Sequence, residues 1–380
     1  MDVAALVTPP YVAGPLRLEP FHALMLVPAR VGDPSTGRAF ARPYKDVGNR
    51  LVRWRERGLL RHDEEPALYL HEYTAAGITV RGLVGALDVS RRATRPEDRA
   101  VLPHEGIHPA QADDLADRMA EMELNPAPIL LVHRGSERSR EILDRIALQD
   151  PDRQFTDRSE QQHRIWAVRE PAVLGELAAE LAPSRALIAD GHHRYAAYLR
   201  LQGRGPGGPC DRGLAMLVDQ TSTPLFLGPI HRTLAGTTLD DLRVATESIG
   251  MGFEEREQAE AVAALGPDRL AATDGTRWAV LSLTVPEDRA AVEVLHRQLV
   301  PALPHGPSAI GYHHTVDEAL RKARPRQGGV AVLMPAPSVD LVQRIAEDDR
   351  LLPEKATSFQ PKPSLGVLIR TLRAGGPAPS

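Results

Sequence analysis

The sequence predicts a mixed α/β protein built in two parts. Three observations lead there. The stretch Ala186-Leu-Ile-Ala-Asp-Gly-His-His-Arg-Tyr195 reads as a short apolar strand that turns abruptly into a helix. Beyond Leu234, helix-like segments at 238–248, 255–265, 289–302, 316–323 and 338–348 alternate with strand-like segments at 278–284 and 329–334, the pattern of an α/β subdomain. The chain has 380 residues, 42% of them hydrophobic, which is more than one core usually serves.

Taken in order, the first forty residues are rich in turn formers, at Thr8 to Tyr11, Gly14-Pro15 and 32–37, with a strand at 21–27 between them. Lys45 to Arg57 reads as a helix with Val47, Leu51, Val52 and Trp54 as its apolar members and Gly58 as its stop. Strands at 68–73 and 80–89 form a hairpin around Ala75-Ala-Gly77. Residues 110–122 form a helix with Leu115, Met119 and Met122 on one face, and 129–132 a buried strand. The charged segment 150–164 reads as a loop with a short strand ending near Trp166, and Pro171 opens a helix. The central strand covers Ala186 to Ala189, the polar turn Asp190 to Arg194, and the helix Tyr195 to Gln202. A Gly/Pro-rich loop at 203–209 leads to strands at 214–218 and 224–227, and the chain ends in a Gly/Pro/Ala tail.

Composition narrows the function. The 46 basic and 50 acidic residues give a net charge of −4, and this acidic balance speaks against a nucleic-acid partner. The lone Cys210 cannot staple the fold or build a thiolate zinc site. No apolar run reaches membrane length, and the N-terminus shows no signal-peptide pattern, so a cytoplasmic protein is expected.

The turn at 190–194 is the first candidate site. A strand running into a helix leaves the first N–H groups of the helix without backbone partners, and these groups together with the helix dipole favour an anion. Gly191 allows a tight turn and close approach of a ligand. Asp190, His192, His193 and Arg194 add a carboxylate, two imidazoles and a guanidinium; Arg grips phosphate with a bidentate fork and His moves protons near neutral pH. Against this stands a plain helix cap at Asp190.

Other candidates are weaker. His104-Glu-Gly-Ile-His108 matches the H-E-x-x-H zinc-protease pattern, which needs both histidines on one helical face. Pro103, Gly106 and Pro109 make the segment a poor helix. His104 and Glu105 remain candidates as a loop imidazole and carboxylate. His231-Arg232 follows a strand and reads alone as a solvated pair; Gly311-Tyr-His-His-Thr315 fits no zinc template. Lys355 and Lys362 sit in the rigid frame Lys355-Ala-Thr-Ser-Phe-Gln-Pro-Lys-Pro363, as tail lysines or as phosphate-facing ones. Tyr11, Tyr69, Tyr73 and Trp54 read as packing residues.

Several pieces in this order resemble the large bacterial domain-of-unknown-function family DUF ten-fifteen: Pro20-Phe-His-Ala-Leu24 with Val31-Gly-Asp33, Pro66-Ala-Leu-Tyr-Leu-His-Glu-Tyr73, Gly82-Leu-Val-Gly-Ala-Leu87, Val101-Leu-Pro-His-Glu105, Asn125-Pro-Ala-Pro-Ile-Leu-Leu131, Ala189-Asp-Gly-His-His-Arg-Tyr195, His231-Arg232 and Lys355 to Pro363. The chain departs from that family in two places. Thr8-Pro-Pro-Tyr-Val12 lacks the Asp of the family's Pro-Pro-Tyr-Asp-Val and precedes the Phe-His-Ala-Leu segment, and the place of His108 is more often apolar, which makes the H-E-x-x-H match accidental.

Further out, Asp190-Gly-His-His-Arg194 followed by Ala196 and Ala197 resembles the phosphate-binding box of the ParB/sulfiredoxin superfamily, including archaeal free-serine kinases. The resemblance implies a ParB/sulfiredoxin-like core with N-terminal elaboration over 1–235 and an additional C-terminal α/β subdomain over 236–380. It implies a kinase that moves phosphate from ATP or ADP, with Mg2+, to the hydroxyl of a small serine-like metabolite. Gly191, His192, His193 and Arg194 would hold nucleotide phosphates, aided by His231, Arg232, Lys355 and Lys362. Asp190 and Glu105 would be catalytic carboxylates and magnesium ligands, with His104 beside them. The rival expectations are a metal-dependent hydrolase and a non-catalytic nucleotide-binding regulator.

Overall fold

The computed structural model describes residues 6–33, 40, 46–323 and 329–373. The turn formers at 34–37, the first residue of the helix expected from Lys45, and the Gly/Pro/Ala tail lie outside the described residues. The protein is mixed α/β and divides into two compact units. The first comprises Met1–Pro103, Ile107–Leu225 and Pro361–Ser380; the second comprises His104–Gly106 and Phe226–Gln360.

The first unit is built on a nine-stranded sheet among the described residues. Its order runs Val101–Leu102, Ala186–Asp190, Ile129–His133, Arg212–Asp219, Ile78–Asp88, Leu68–Ala75, Gln162–Val168, Arg153–Thr156, with Leu18–Glu19 also on Ile78–Asp88. Two pairings are parallel, Ala186–Asp190 on Val101–Leu102 and Arg212–Asp219 on Ile129–His133; the others are antiparallel. The central strands are apolar on both faces, as strands covered on two sides must be. Leu70, Leu87, Leu131, Ile188 and Leu217 join one core with Met119 of the helix Pro109–Met122 and Tyr195 and Tyr198 of the helix His192–Arg204. A second, four-stranded sheet runs Leu60–His62, Ala23–Leu26, Ile369–Thr371, Leu124–Asn125, so the C-terminal segment is woven into this unit.

The helix His192–Arg204 fixes the geometry of the candidate site. Seven of its residues are buried. The hydroxyl of Tyr195 donates to the Pro10 carbonyl at 2.8 Å and accepts the Val12 N–H at 3.0 Å. The hydroxyl of Tyr198 donates to the Leu214 carbonyl at 3.1 Å. Buried hydroxyls must find partners, so these bonds hold the helix in one place and one rotation.

The second unit carries a six-stranded antiparallel sheet in the order Gly252–Glu255, Trp278–Ser282, Arg269–Thr273, Gly329–Leu333, His231–Ala235, Ala309–His313. Residues 226–235, expected in the first part, belong here, because His231–Ala235 pairs on both sides within this sheet. Glu105 joins the unit by bridging Leu352.

Four local expectations change. The segment 150–164 holds most of two paired strands rather than a loop. The helix of the central turn begins at His192, three residues early, because Gly191 makes the whole corner. The expected helix 289–302 is an α-helical turn, Ala291–Val294, followed by a π-helical one, Leu295–Leu299. A helix, Glu137–Ala147, stands where none was expected; Ser136 caps it by accepting the Ser139 N–H at 3.0 Å, and Ile142 and Ile146 seat it.

Leu131 is fully buried in the middle of the nine-stranded sheet. Leu131→Ala should destabilise the protein by about 2–5 kcal/mol in a urea melt. An unchanged midpoint would contradict this core.

Candidate functional site

Gly191 takes φ +96°, a left-handed conformation that places the end of the strand Ala186–Asp190 directly on the first turn of the helix. The pairing of this strand with Ile129–His133 slips between Ile188 and Asp190, which re-aims the Asp190 side chain. A Cβ at position 191 would lie 3.0 Å from two nitrogens of the Arg194 guanidinium and 3.1 Å from Ile129 Cγ2, so glycine lets these side chains pack against the backbone of the corner.

Three charged groups meet at the corner. The Asp190 carboxylate accepts from Arg194 Nη2 through Oδ2 and from Lys362 Nζ through Oδ1, both at 2.5 Å. Arg194 also donates through Nη1 to the Pro128 carbonyl at 2.6 Å, so its guanidinium is held from two sides. The trio sums to one positive charge. Asp190 and Arg194 are mostly buried, while Lys362 is 44% exposed and able to swing onto a ligand. Two cations beside a helix N-terminus are an arrangement whose ordinary electrostatics favours an anion.

The two histidines behave differently from the expectation that both face phosphate. His192 is buried. His193 Nε2 accepts the His108 N–H at 3.1 Å, and the two rings stack at 6.0 Å. His193 therefore ties down the residue that caps the helix Pro109–Met122, which leaves Nδ1 as its other polar atom.

The remaining expected site residues gather in the second unit. Arg232 is fully buried and is not a solvated or phosphate-facing cation. Its donors are taken up by the Ile230, Glu354 and Lys355 carbonyls at 2.6, 3.2 and 2.9 Å and by His296 Nε2 at 3.1 Å, and it lies over the Tyr312 ring. Burial lowers its pKa to about 10. His231 is buried too and accepts the Met334 N–H through Nδ1 at 3.1 Å; burial, then Arg232, pulls its pKa down to about 4. Both are interior: Arg232 bonds three backbone carbonyls and one imidazole, and His231 accepts a backbone N–H through Nδ1. Lys355 is exposed and sits at φ +55° where Arg232 holds its carbonyl. His104 is buried, with Nε2 2.8 Å from Thr357 Oγ1. Glu105 Oε1 accepts the Thr357 N–H at 3.3 Å and its hydroxyl at 3.1 Å, and burial raises the carboxyl pKa.

Residues 104–108 are not helical: His108 is extended at φ −81°, and the helix starts at Pro109. Among the described residues no group of three or more His, Cys, Asp or Glu is placed to hold a metal ion, and no helix is long and apolar enough to cross a membrane. Both Asp190 oxygens are engaged by cations, so the turn as built fits a phosphate better than a magnesium ion. Residues that sequence reasoning missed are Asp157, Ser159, Gln161 and Tyr73, which hold the segment carrying Lys362. The short polar run Asp157-Arg-Ser-Glu-Gln161 is the signal of an Asx turn.

Residues 16–295 match the model of a family described as a protein of unknown function, DUF1015. The chain belongs to that family. None of the curated proteins matches this DUF1015 chain. Among solved structures it is similar to a free serine kinase in complex with AMP, at 15% identity and TM-score 0.40 over 71% of this chain and 88% of that one. It is similar to a mutant free serine kinase in complex with ADP, at 14% identity and TM-score 0.40 over 71% and 89%. It is also similar to SbnI with a C-terminal truncation from Staphylococcus aureus, at 10% identity and TM-score 0.42 over 73% and 88%.

Two measurements probe these clusters. Gly191→Ala should cost about 1–2 kcal/mol, the usual strain of a side chain in the left-handed region. Gly203→Ala, on the same helix with open space around it, should instead gain about 0.5–1 kcal/mol. Equal effects of the two in thermal melts would contradict the corner. The raised carboxyl of Glu105 means that the folded state binds more protons than the unfolded one, so its contribution to stability falls as pH climbs from the ordinary value of 4.5 to the native pKa. Glu105→Gln keeps an acceptor for Thr357, and its melting temperature should rise relative to wild type across that window. A wild type that gains on the variant with rising pH would contradict the assignment.

Proposed function

We propose that the first unit is a small-molecule kinase that binds the phosphates of ATP or ADP at the turn Asp190–Arg194 and passes one to the hydroxyl of a serine-like metabolite. The observation that carries this reading is the Asp190 carboxylate set between Arg194 and Lys362 at the start of a buried helix. It is the same activity that the resemblance of the Asp-Gly-His-His-Arg box implies. Phosphoryl transfer is mostly positioning and charge stabilisation, and the trio supplies both.

In this reading Asp190 aims two cations. Arg194, fixed by the Pro128 carbonyl, meets a phosphate from the helix side. Lys362 meets it from the C-terminal segment. Gly191 lets the Arg194 guanidinium lie against the corner, beside the helix's first N–H groups that would receive the phosphate. When Lys362 leaves Asp190 for the phosphate, Oδ1 is released to accept the proton of the acceptor hydroxyl, a role of general base. Magnesium accompanies nucleotide phosphates in such reactions. The engaged Asp190 oxygens do not present it with a ready site, so no step is derived through the metal. No role in the transfer is assigned to Arg232, His231, His104 or Lys355.

The test is incubation with ATP or ADP and a panel of hydroxyl amino acids and related metabolites, with phosphate transfer read by mass spectrometry. A phosphorylated product is expected. Nucleotide binding without any product would favour the regulator, and release of inorganic phosphate with no phosphorylated acceptor would favour a hydrolase. Arg194→Ala should weaken ADP about 10- to 100-fold, since a hydrogen bond to a charged group is worth about 1.5–3 kcal/mol. ADP protecting variant and wild type equally against heat would end the phosphate reading.

A further inference from the structure

Lys362 reaches Asp190 from a segment that is itself held by an array of hydrogen bonds, one buried and two exposed, that no part of the proposed chemistry uses. Tyr73 donates its hydroxyl hydrogen to the Pro361 carbonyl at 2.7 Å. Gln161 Nε2 donates to the Lys362 carbonyl at 3.0 Å, and the Ser159 and Ser364 hydroxyls lie 3.2 Å apart. Pro361 and Pro363 stiffen the strap on both sides of the lysine. Ser159 and Gln161 are in turn fixed by one carboxylate oxygen: Asp157 Oδ1 accepts the Ser159 N–H at 2.8 Å, the Ser159 hydroxyl at 2.9 Å and the Gln161 N–H at 3.0 Å. Gly32 leaves room for this turn, since a Cβ there would lie 2.5 Å from Ser159 Oγ and 3.0 Å from Asp157 Oδ2.

The other oxygen of Asp157 ends a buried imidazole chain. His163 Nε2 lies 3.1 Å from Oδ2, and His71 Nε2 lies 3.0 Å from His163 Nδ1. Both histidines are buried, cased by Phe155 and Tyr73. Burial lowers the pKa of each, so each carries one ring proton at neutral pH. Burial alone would raise the Asp157 carboxyl, but the hydrogen bonds from Ser364, His163 and Ser159 outweigh it and hold it down. A carboxylate only accepts, so the proton of His163 sits on Nε2. His163 Nδ1 is then the acceptor, and the proton of His71 must also sit on Nε2. The chain has one direction, and it ends on Asp157.

We propose that Asp157, held by the His71–His163 pair, is the positioning residue for Lys362: it fixes the 157–161 turn whose Ser159 and Gln161 grip the Pro361–Ser364 strap. The inference rests on the reading of Lys362 as a phosphate contact, and the experiment separates the two. ADP is the probe. Lys362→Met should weaken ADP about tenfold, the equivalent of about 1.4 kcal/mol. Asp157→Ala should weaken it by a similar factor, and the double variant should bind no worse than Lys362→Met alone, the signature of one coupled unit. Asp157→Asn keeps Oδ1 as an acceptor and should restore binding, while its amide donates to His163 and forces both ring protons to Nδ1. Nitrogen-15 histidine spectra read that inversion. Ser364→Ala cuts the strap at its far end, removing its hydroxyl from Ser159 and Asp157 while leaving the His71–His163 pair in place, and should show the same coupling should Asp157→Ala fail to fold.

Two affinity outcomes overturn the proposal: additive losses in the double variant, or wild-type ADP affinity in Asp157→Ala beside a weakened Lys362→Met. A histidine spectrum with His163 protonated on Nδ1 in the wild type does so as well. Hydrogen exchange at the Lys362 and Ser364 amides reads the grip without any ligand. It should rise in Asp157→Ala, and unchanged exchange overturns the positioning role whatever Lys362 binds. An ADP affinity left unchanged by Lys362→Met while exchange rises would instead fault the phosphate reading alone.

Discussion

The candidate site depends on one carboxylate. Asp190 joins three parts of the chain that are far apart in sequence: the end of a central strand, the first helical turn through Arg194, and the C-terminal strap through Lys362, 172 residues away. Without Asp190, two cations would face each other across a half-buried corner with nothing to orient them. With it, their mutual repulsion becomes a fixed geometry, and the corner keeps a positive balance beside a helix N-terminus. The chain returns to the first unit after Gln360. Ile369–Thr371 pairs with Ala23–Leu26 and Leu124–Asn125, and this pairing anchors the far side of the strap.

The second unit is organised around a buried cation instead. Arg232 gives its hydrogens to carbonyl oxygens and one imidazole, which is how a buried guanidinium avoids the full cost of desolvation. Its bonds to the Glu354 and Lys355 carbonyls fix a turn that includes a residue in the left-handed region. Removing one partner of such a group leaves a buried donor unsatisfied, so Arg232 belongs to the folding of this unit. The contrast with Arg194 is instructive: the same residue type follows a histidine in both motifs, and Arg232 is fully buried while Arg194 is partly exposed.

Much of the first unit was legible in the sequence, because the apolar strands at 68–73, 80–89, 129–132 and 186–189 and the helices at 110–122 and after Pro171 have unambiguous periods. The strand–glycine–helix corner was legible because glycine between an apolar run and a polar turn has few other uses. Its details were not. Helix 192–204 starts on the histidines because Gly191 completes the turn in one residue, a property of φ that a sequence does not display. The helix Glu137–Ala147 was hidden by its charge, since Ile142 and Ile146 are its buried anchors among arginines and glutamates. His231-Arg232 reads like a second phosphate motif, and only the six-stranded sheet shows that it is interior. The grip on Lys362 was illegible because Asp157, Gln161 and Tyr73 reach it across more than 200 residues of chain.

The role of the Asp190 corner turns on where a phosphate binds. The most direct measurement is a crystal structure of the protein grown with ADP. The account predicts the terminal phosphate at the Gly191 corner, within hydrogen-bonding distance of the first helical N–H groups and of Arg194, with Lys362 Nζ moved from Asp190 onto a phosphate oxygen. An ADP whose phosphates lie away from this corner, with the Lys362–Asp190 pair undisturbed, would contradict it.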